Sequence, residues 1–275
     1  MPLPFLIGAA VIGAGSLIGA AAKSVNRDYE EELHSINQKI NDLAEETEES
    51  FLKTKKDTEY KLDRLAFLKQ DIYENSLKEF ARAFKKIKNV KLSKSGNLKE
   101  KLHSLETITM DYSSNATVSY IQSEKEAAIK GAILGGLFGG TYLVTGLIKG
   151  VKLQYAIEEA QANYSKMKVE AEKVKAKEAN LKKIARQANE MYSVLKALDR
   201  LFILAINEMK NNINTAGTDF SHFTEEQRQQ LYVTVQLAES VKKLLDARVI
   251  SSQGTPEIDS KKAVTEAKTL IHLKG

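Results

Sequence analysis

Four histidines, His34, His103, His222 and His272, are the first candidates for proton transfer or metal ligation. They are scattered, and no two have the spacing a metal site needs. Cysteine is absent, which excludes disulfides, thiolate nucleophiles and Cys-ligated zinc. The stretch from Gly135 to Gly140 has the composition of a phosphate loop. No strand is expected before it, however, and no Lys-Ser/Thr pair closes it. Neither GxxxxGK[ST] nor G-x-S-x-G occurs. The carboxylates Glu45, Glu46, Glu48 and Glu49 read as one solvated helix face. No catalytic constellation is left, so the sequence predicts no enzyme, no cofactor, no metal and no small-molecule substrate.

Two other kinds of chemistry remain. The first is anion contact. Between Arg82 and Lys101 stand Arg82, Lys85, Lys86, Lys88, Lys91, Lys94, Lys99 and Lys101, with Glu100 the single acid. A second group holds Lys173, Lys175, Lys177, Lys182, Lys183 and Arg186. The ordinary reading is solubilising charge on helix surfaces. The sharper one is contact with lipid headgroups or a nucleic-acid backbone through Lys85, Lys86, Lys88, Lys91, Lys94, Lys182, Lys183 and Arg186. A net charge of +5 and a pI near 9.0 favour anionic partners of either kind. Lysine without interleaved aromatics predicts salt-sensitive contact of low sequence specificity.

The second is close helix approach. Gly131, Gly135 and Gly139 lie four apart, as do Gly136 and Gly140, Gly146 and Gly150, and Gly15 and Gly19. Residues four apart share one helix face, and a face of glycines lets another backbone come close. In lipid this drives helix association. In water each glycine costs a helix roughly 1 kcal/mol against alanine. Both glycine groups sit in uncharged stretches. The first charge is Lys23, which leaves 18 uncharged residues from Phe5; Gly131 to Ile148, between Lys130 and Lys149, is again 18. Such a stretch is ~27 Å long as a helix, near the ~30 Å hydrocarbon core of a bilayer. Ala20-Ala21-Ala22 resembles a leader cleavage site, but no Lys or Arg precedes the apolar run, so a retained segment is expected.

The elements that must carry these residues are long helices. Prolines occur only at Pro2, Pro4 and Pro256, and the remainder is rich in Lys, Glu, Ala and Leu. Residues 23–89 read as helix, with a heptad seam through Tyr29, Leu33, Ile36, Ile40 and Leu43. The seam weakens at Thr47, Ser50 and Thr54, then resumes at Leu62 and Leu65. Ser93 to Asn97 is a break, a short helix is expected near 98–105, and 107–123 reads as loop or extended chain. A second seam runs from Leu153 to Leu195, with Glu178 its one charged member, in a helix expected to reach Asn214. Gly217 lies in the next break, Thr224 should N-cap a helix to about Arg248, and a last helix covers 260–272. The expectation is an all-α chain: an apolar membrane segment at 1–22, a helical arm at 23–123, a glycine-rich membrane segment at 124–150, a heptad helix at 151–214 and a helical hairpin at 215–275.

Two full spans would leave 23–130 and 149–275 on opposite sides of a bilayer. The arms at 29–87 and 153–195 could then not pair within one molecule. Pairing between chains, a re-entrant second segment bending at Gly139-Gly140, or storage of the segments before insertion are the three ways out.

The opening MPLPFLIGAAVIGAG, the stretch DIYENSLKEFARAFKKIKNVKL, the glycine-rich centre and the closing DFSHFTEEQRQQLYVTVQLAESVKKLLDARVI resemble a bacterial family of helical proteins with an apolar Gly/Ala centre, loosely labelled chemotaxis-like. The layout is also similar to membrane-channel effectors of phage-defence systems of the Hailong type. That resemblance implies an oligomeric channel held shut by a nucleic-acid oligomer, with the basic clusters as the inhibitor site. Together these features predict a homo-oligomeric pore of the bacterial inner membrane, with itself, lipid and a nucleic-acid or nucleotide regulator as partners. Its opening would arrest growth or kill the cell during infection. The alternatives are a membrane-anchored coiled-coil scaffold or sensor, and a soluble helical toxin that inserts on target membranes.

Overall fold

A computed structural model of the chain describes residues 20–90, 151–251 and 255–274. Five α-helices appear among them: α1 (Ala20–Ile72), α2 (Lys78–Phe84), α3 (Val151–Ala216), α4 (Glu225–Asp246) and α5 (Ile258–Lys274). One π turn, Tyr73–Leu77, joins α1 to α2, and a 3-10 turn covers Phe220–His222. Isolated bridges pair Lys88 with Asp219 and Ile250 with Pro256. The described residues contain no strand, and the class is all-α.

Two compact units share the long helices. The first comprises the described parts of Met1–Leu52 and Gly135–Lys177. Here the N-terminal portions of α1 and α3 pack together. Leu33, Ile36 and Ile40 form one buried cluster with Leu153, Ile157, Ala160 and Met167, and Tyr29, Leu43 and Tyr164 pack against it. These are the predicted seam residues of both arms, and they pair within a single chain. On the rim, Gln161 Nε2 donates to Glu32 Oε1 at 3.4 Å.

The second unit comprises the described parts of Lys53–Leu134 and Glu178–Gly275. The direction of pairing can be followed from its hydrogen bonds. Thr54 Oγ1 donates to Glu178 Oε1 at 3.0 Å, and Thr58 Oγ1 to the Leu181 carbonyl at 3.3 Å. Further on, Lys210 Nζ donates to Glu79, and Lys88 N to the Thr218 carbonyl at 2.7 Å. Numbers rise together on both sides, so α1–α2 runs parallel to α3. Against α3, α4 runs antiparallel: Asn212 Nδ2 donates to Gln230 Oε1 at 2.8 Å, and Thr234 Oγ1 to the Ala205 carbonyl at 3.4 Å. The chain reverses between them at Gly217, whose φ of +83° is the left-handed conformation that ends helices without a Cβ penalty. The Thr224 side chain and Gln227 then form a reciprocal capping box at the start of α4. α5 closes the bundle, with Gln187 Nε2 donating to the Glu257 carbonyl at 2.6 Å and Lys268 Nζ to Glu190 Oε1 at 2.6 Å.

Two local features depart from plain heptads. The polar gaps in the two seams fill each other. Thr54 on α1 meets Glu178 on α3, and Lys182 Nζ reaches the same carboxylate at 2.5 Å. Buried polar pairs of this kind fix register in helix pairs. The π turn buries Ile72 together with Tyr73, and Ser76 together with Leu77.

Candidate functional site

Among the described residues, the basic side chains singled out by the sequence fall in two separate places. Lys85, Lys86 and Lys88 are exposed where the chain leaves α2. Their backbone is held by a short clamp: Lys88 N donates to Thr218 O, and Phe220 N to Lys88 O at 3.0 Å. Asn89 follows at φ 59° and donates from Nδ2 to Asp219 Oδ2 at 2.8 Å. Asp219 also accepts from Ser221 N at 2.9 Å and Ser221 Oγ at 2.7 Å. The bonds from Ser221, and then the one from Asn89, hold its carboxyl down at about 2. The contacts that hold Asp219 come from Ser221 and Asn89, and the Lys88 backbone is fixed beside it. Lys182, Lys183 and Arg186 are exposed early in the second unit's part of α3. Roughly 45 Å of helix lies between Arg186 and the end of α3, where the Lys88 clamp forms. Lys91 and Lys94 lie outside the described residues, as do Gly15, Gly19, Gly131, Gly135, Gly139, Gly146 and Gly150.

A different cluster is assembled by packing and was missed from sequence. The Arg64 guanidinium lies 4.3 Å from the Tyr192 ring centroid and 5.6 Å from that of Tyr60, while Lys196 Nζ lies 5.8 Å from Tyr192 on α3. Hydrogen bonding between Arg64 and Tyr192 stabilises the guanidinium and lowers the Tyr192 phenol from its ordinary value, with the Lys196 charge adding to the latter. Tyr60 and Phe67 are 60% and 74% exposed. Tyr60, Arg64 and Phe67 follow one another by four and three residues, so they form a stripe along one face of α1. That spacing was visible in the sequence, parallel to the buried seam. Tyrosine, arginine and phenylalanine are side chains enriched at protein interfaces. The cluster is suited to gripping a partner.

One carboxyl is perturbed by burial. Asp199 is raised above the ordinary value chiefly by desolvation, with the Asp71 charge adding and a hydrogen bond to the Ser76 hydroxyl of the π turn opposing. Its Oδ1 is buried without a hydrogen-bond partner. A carboxyl raised on folding holds its proton better in the native state. Stability is therefore lost as pH rises from the ordinary carboxyl range through the raised value. Asp219 has the opposite sign: its contribution is present above the ordinary range and lost as pH falls towards about 2. Asp199→Asn is expected to raise the Tm at pH 7 by a few degrees. The gain should shrink as the pH is lowered into the carboxyl range, and thermal melts at pH 4 to 7 check it.

Among the described residues no group of His, Cys, Asp and Glu could hold a metal ion. Among them, too, no helix is long and apolar enough to cross a membrane; the two uncharged stretches lie outside them. No family model, curated protein or solved structure matches the chain. The fold and the site define an all-α protein built on paired long helices.

Proposed function

We propose that the protein is a non-catalytic, homo-oligomeric membrane pore whose paired helices set oligomer order and receive the opening signal. The reading is supported above all by one observation: α1 and α3 pair along their seams, and in the sequence each seam follows within a few residues of an uncharged, glycine-spaced stretch of about the bilayer's thickness. The glycine faces pack helices around an axis, and the lysine groups meet lipid headgroups or an anionic nucleic-acid or nucleotide regulator. Opening dissipates ion gradients in the bacterial inner membrane and arrests growth, as an effector of phage defence would. Ion flux from liposomes tests this. The parent protein is expected to conduct, and Gly139→Leu to lose most of the conductance while keeping helix content. Absence of flux under every activating condition would remove the pore.

A second reading, a membrane-anchored scaffold or sensor, is favoured by the exposed Tyr60–Arg64–Phe67 stripe, which offers a partner a place to dock. Overproduction separates the two. A scaffold is tolerated, whereas a deregulated pore depolarises its host.

A further inference from the structure

The exposed stripe of α1 continues past Phe67. Asp71 stands four residues on, so Tyr60, Arg64, Phe67 and Asp71 share one helix face, and all four belong to the second unit. The same spacing recurs on α3 in Tyr192, Lys196, Asp199 and Ile203. Folding sets the two rows side by side. The Arg64 guanidinium lies 4.3 Å from the Tyr192 ring centroid, and Asp199 feels the Asp71 charge. Because α1 runs parallel to α3 here, both rows pass from cation to carboxyl in the same direction. One end of the face therefore holds Arg64 and Lys196, and the other Asp71 and Asp199. Among the described residues neither Arg64 nor Asp71 is in an ion pair: Arg64 is met by tyrosines, and Asp71 accepts from Asn75 Nδ2 at 2.7 Å. Between the two ends, Phe67 stands largely exposed.

We infer that this face pairs with the same face of a second copy of the chain, the two copies running antiparallel. Turning the rows end for end brings Arg64 to the partner's Asp71 and Lys196 to the partner's Asp199. The midpoint between Arg64 and Asp71 falls beside Phe67, so Phe67 packs against the partner's Phe67 at the twofold axis. On α3 the same turn brings Tyr192 to the partner's Ile203. A patch that is its own complement after a half-turn is what a twofold interface requires. Parallel copies would set cation on cation and carboxyl on carboxyl, which repel. An unrelated partner would have to supply the reversed charge order that this chain already carries. Exposed ion pairs add little strength each but fix orientation, so the pairing is weak and directional, and dilute protein is free of it. Every residue involved lies in the second unit, so the pairing owes nothing to where the uncharged stretches sit.

The chain has no native cysteine, which makes single-cysteine crosslinking clean. Full-length Phe67→Cys and Tyr60→Cys, both at exposed positions, are treated in turn with a short bis-maleimide in concentrated solution. Phe67→Cys is expected to give crosslinked dimer. Tyr60→Cys is expected to give almost none, because in the antiparallel pair the two Tyr60 positions lie ~22 Å apart along the helices. Efficient crosslinking of both overturns the antiparallel arrangement, and crosslinking of neither overturns pairing through this face. In the Phe67→Cys background, Arg64→Asp is expected to lower the yield about tenfold or more by setting acid on acid. Adding Asp71→Arg should recover much of it, since the exchanged pair is again its own complement. An unchanged yield in the first variant, or no recovery in the second at equal helix content, overturns the inference. Liposome flux reports on the pore separately, so the failure of either reading leaves the other standing.

Discussion

Phe202→Ala is expected to cost the second unit about 3–5 kcal/mol, the range for emptying a buried aromatic site. Phe202 is 0% exposed. Its ring lies 5.5 Å from that of Phe80 on α2 at 50°, and Phe80 in turn stacks on Phe84 at 5.5 Å and 29°. Aromatic pairs of this geometry contribute about 0.5–1.5 kcal/mol beyond the area they bury. The surrounding cluster includes Leu198, Ile206 and Ala238 on two different long helices, whose own packing limits how far the walls can close on a void. A domain's whole stability is about 5–15 kcal/mol, so the change should move most of the unfolding transition. Urea titration is expected to show a lower midpoint with an unchanged m-value. Phe67→Ala is the control: Phe67 is 74% exposed, and its loss should change the midpoint little. Near-equal effects of the two would mean that the Phe80–Phe202 contact is not the centre of this core.

That core was readable from the sequence in outline, for a physical reason. Heptad spacing records which face of a helix is buried, and the buried residues of α1 and α3 follow it. Caps are local as well, so Thr224 with Gln227, and Gly217 at the end of α3, could be assigned from neighbours alone. What a seam does not record is which helix it meets and in which direction. Parallel pairing within one chain therefore emerged only from contacts such as Thr54 to Glu178. Taken singly, Thr54 was a weak point in one seam and Glu178 a stray charge in another. They are one feature, 124 residues apart in sequence. The π turn at Tyr73–Leu77 has no sequence signature. The Arg64 cluster was passed over because it runs beside the seam. The lysines were legible as composition only: charge density along a sequence does not say which of the charges folding brings together, and Arg186 lies far along α3 from the Lys88 clamp.

Lys69→Met is expected to be nearly as damaging as the loss of Phe202, through hydrogen bonding and not through volume. Lys69 stands on α1 and is 2% exposed. Its Nζ donates to the Leu245 carbonyl at 3.0 Å and the Ala247 carbonyl at 2.8 Å. These carbonyls belong to the C-terminal end of α4, where the last turn has acceptors that no following helical N–H can reach. Many helices answer this with a left-handed glycine. Here the C-cap is Ala247 at φ −67° and ψ 128°, an extended conformation, and the ammonium takes up the acceptors instead. A cation at that end also meets the negative pole of the helix dipole. Methionine keeps the length and apolar stem but brings no donor. Each buried acceptor left unsatisfied costs about 1–3 kcal/mol, so for the two a loss of roughly 2–6 kcal/mol is expected. Hydrogen exchange should localise it, with protection falling first at Leu244 to Ala247. Lys69→Arg, which restores donors at some cost in fit, should recover part of the midpoint. If methionine is tolerated with unchanged exchange at the end of α4, the tie from α1 to α4 is not what holds that helix end. If arginine recovers nothing, the fit of the lysine stem matters more than its donors.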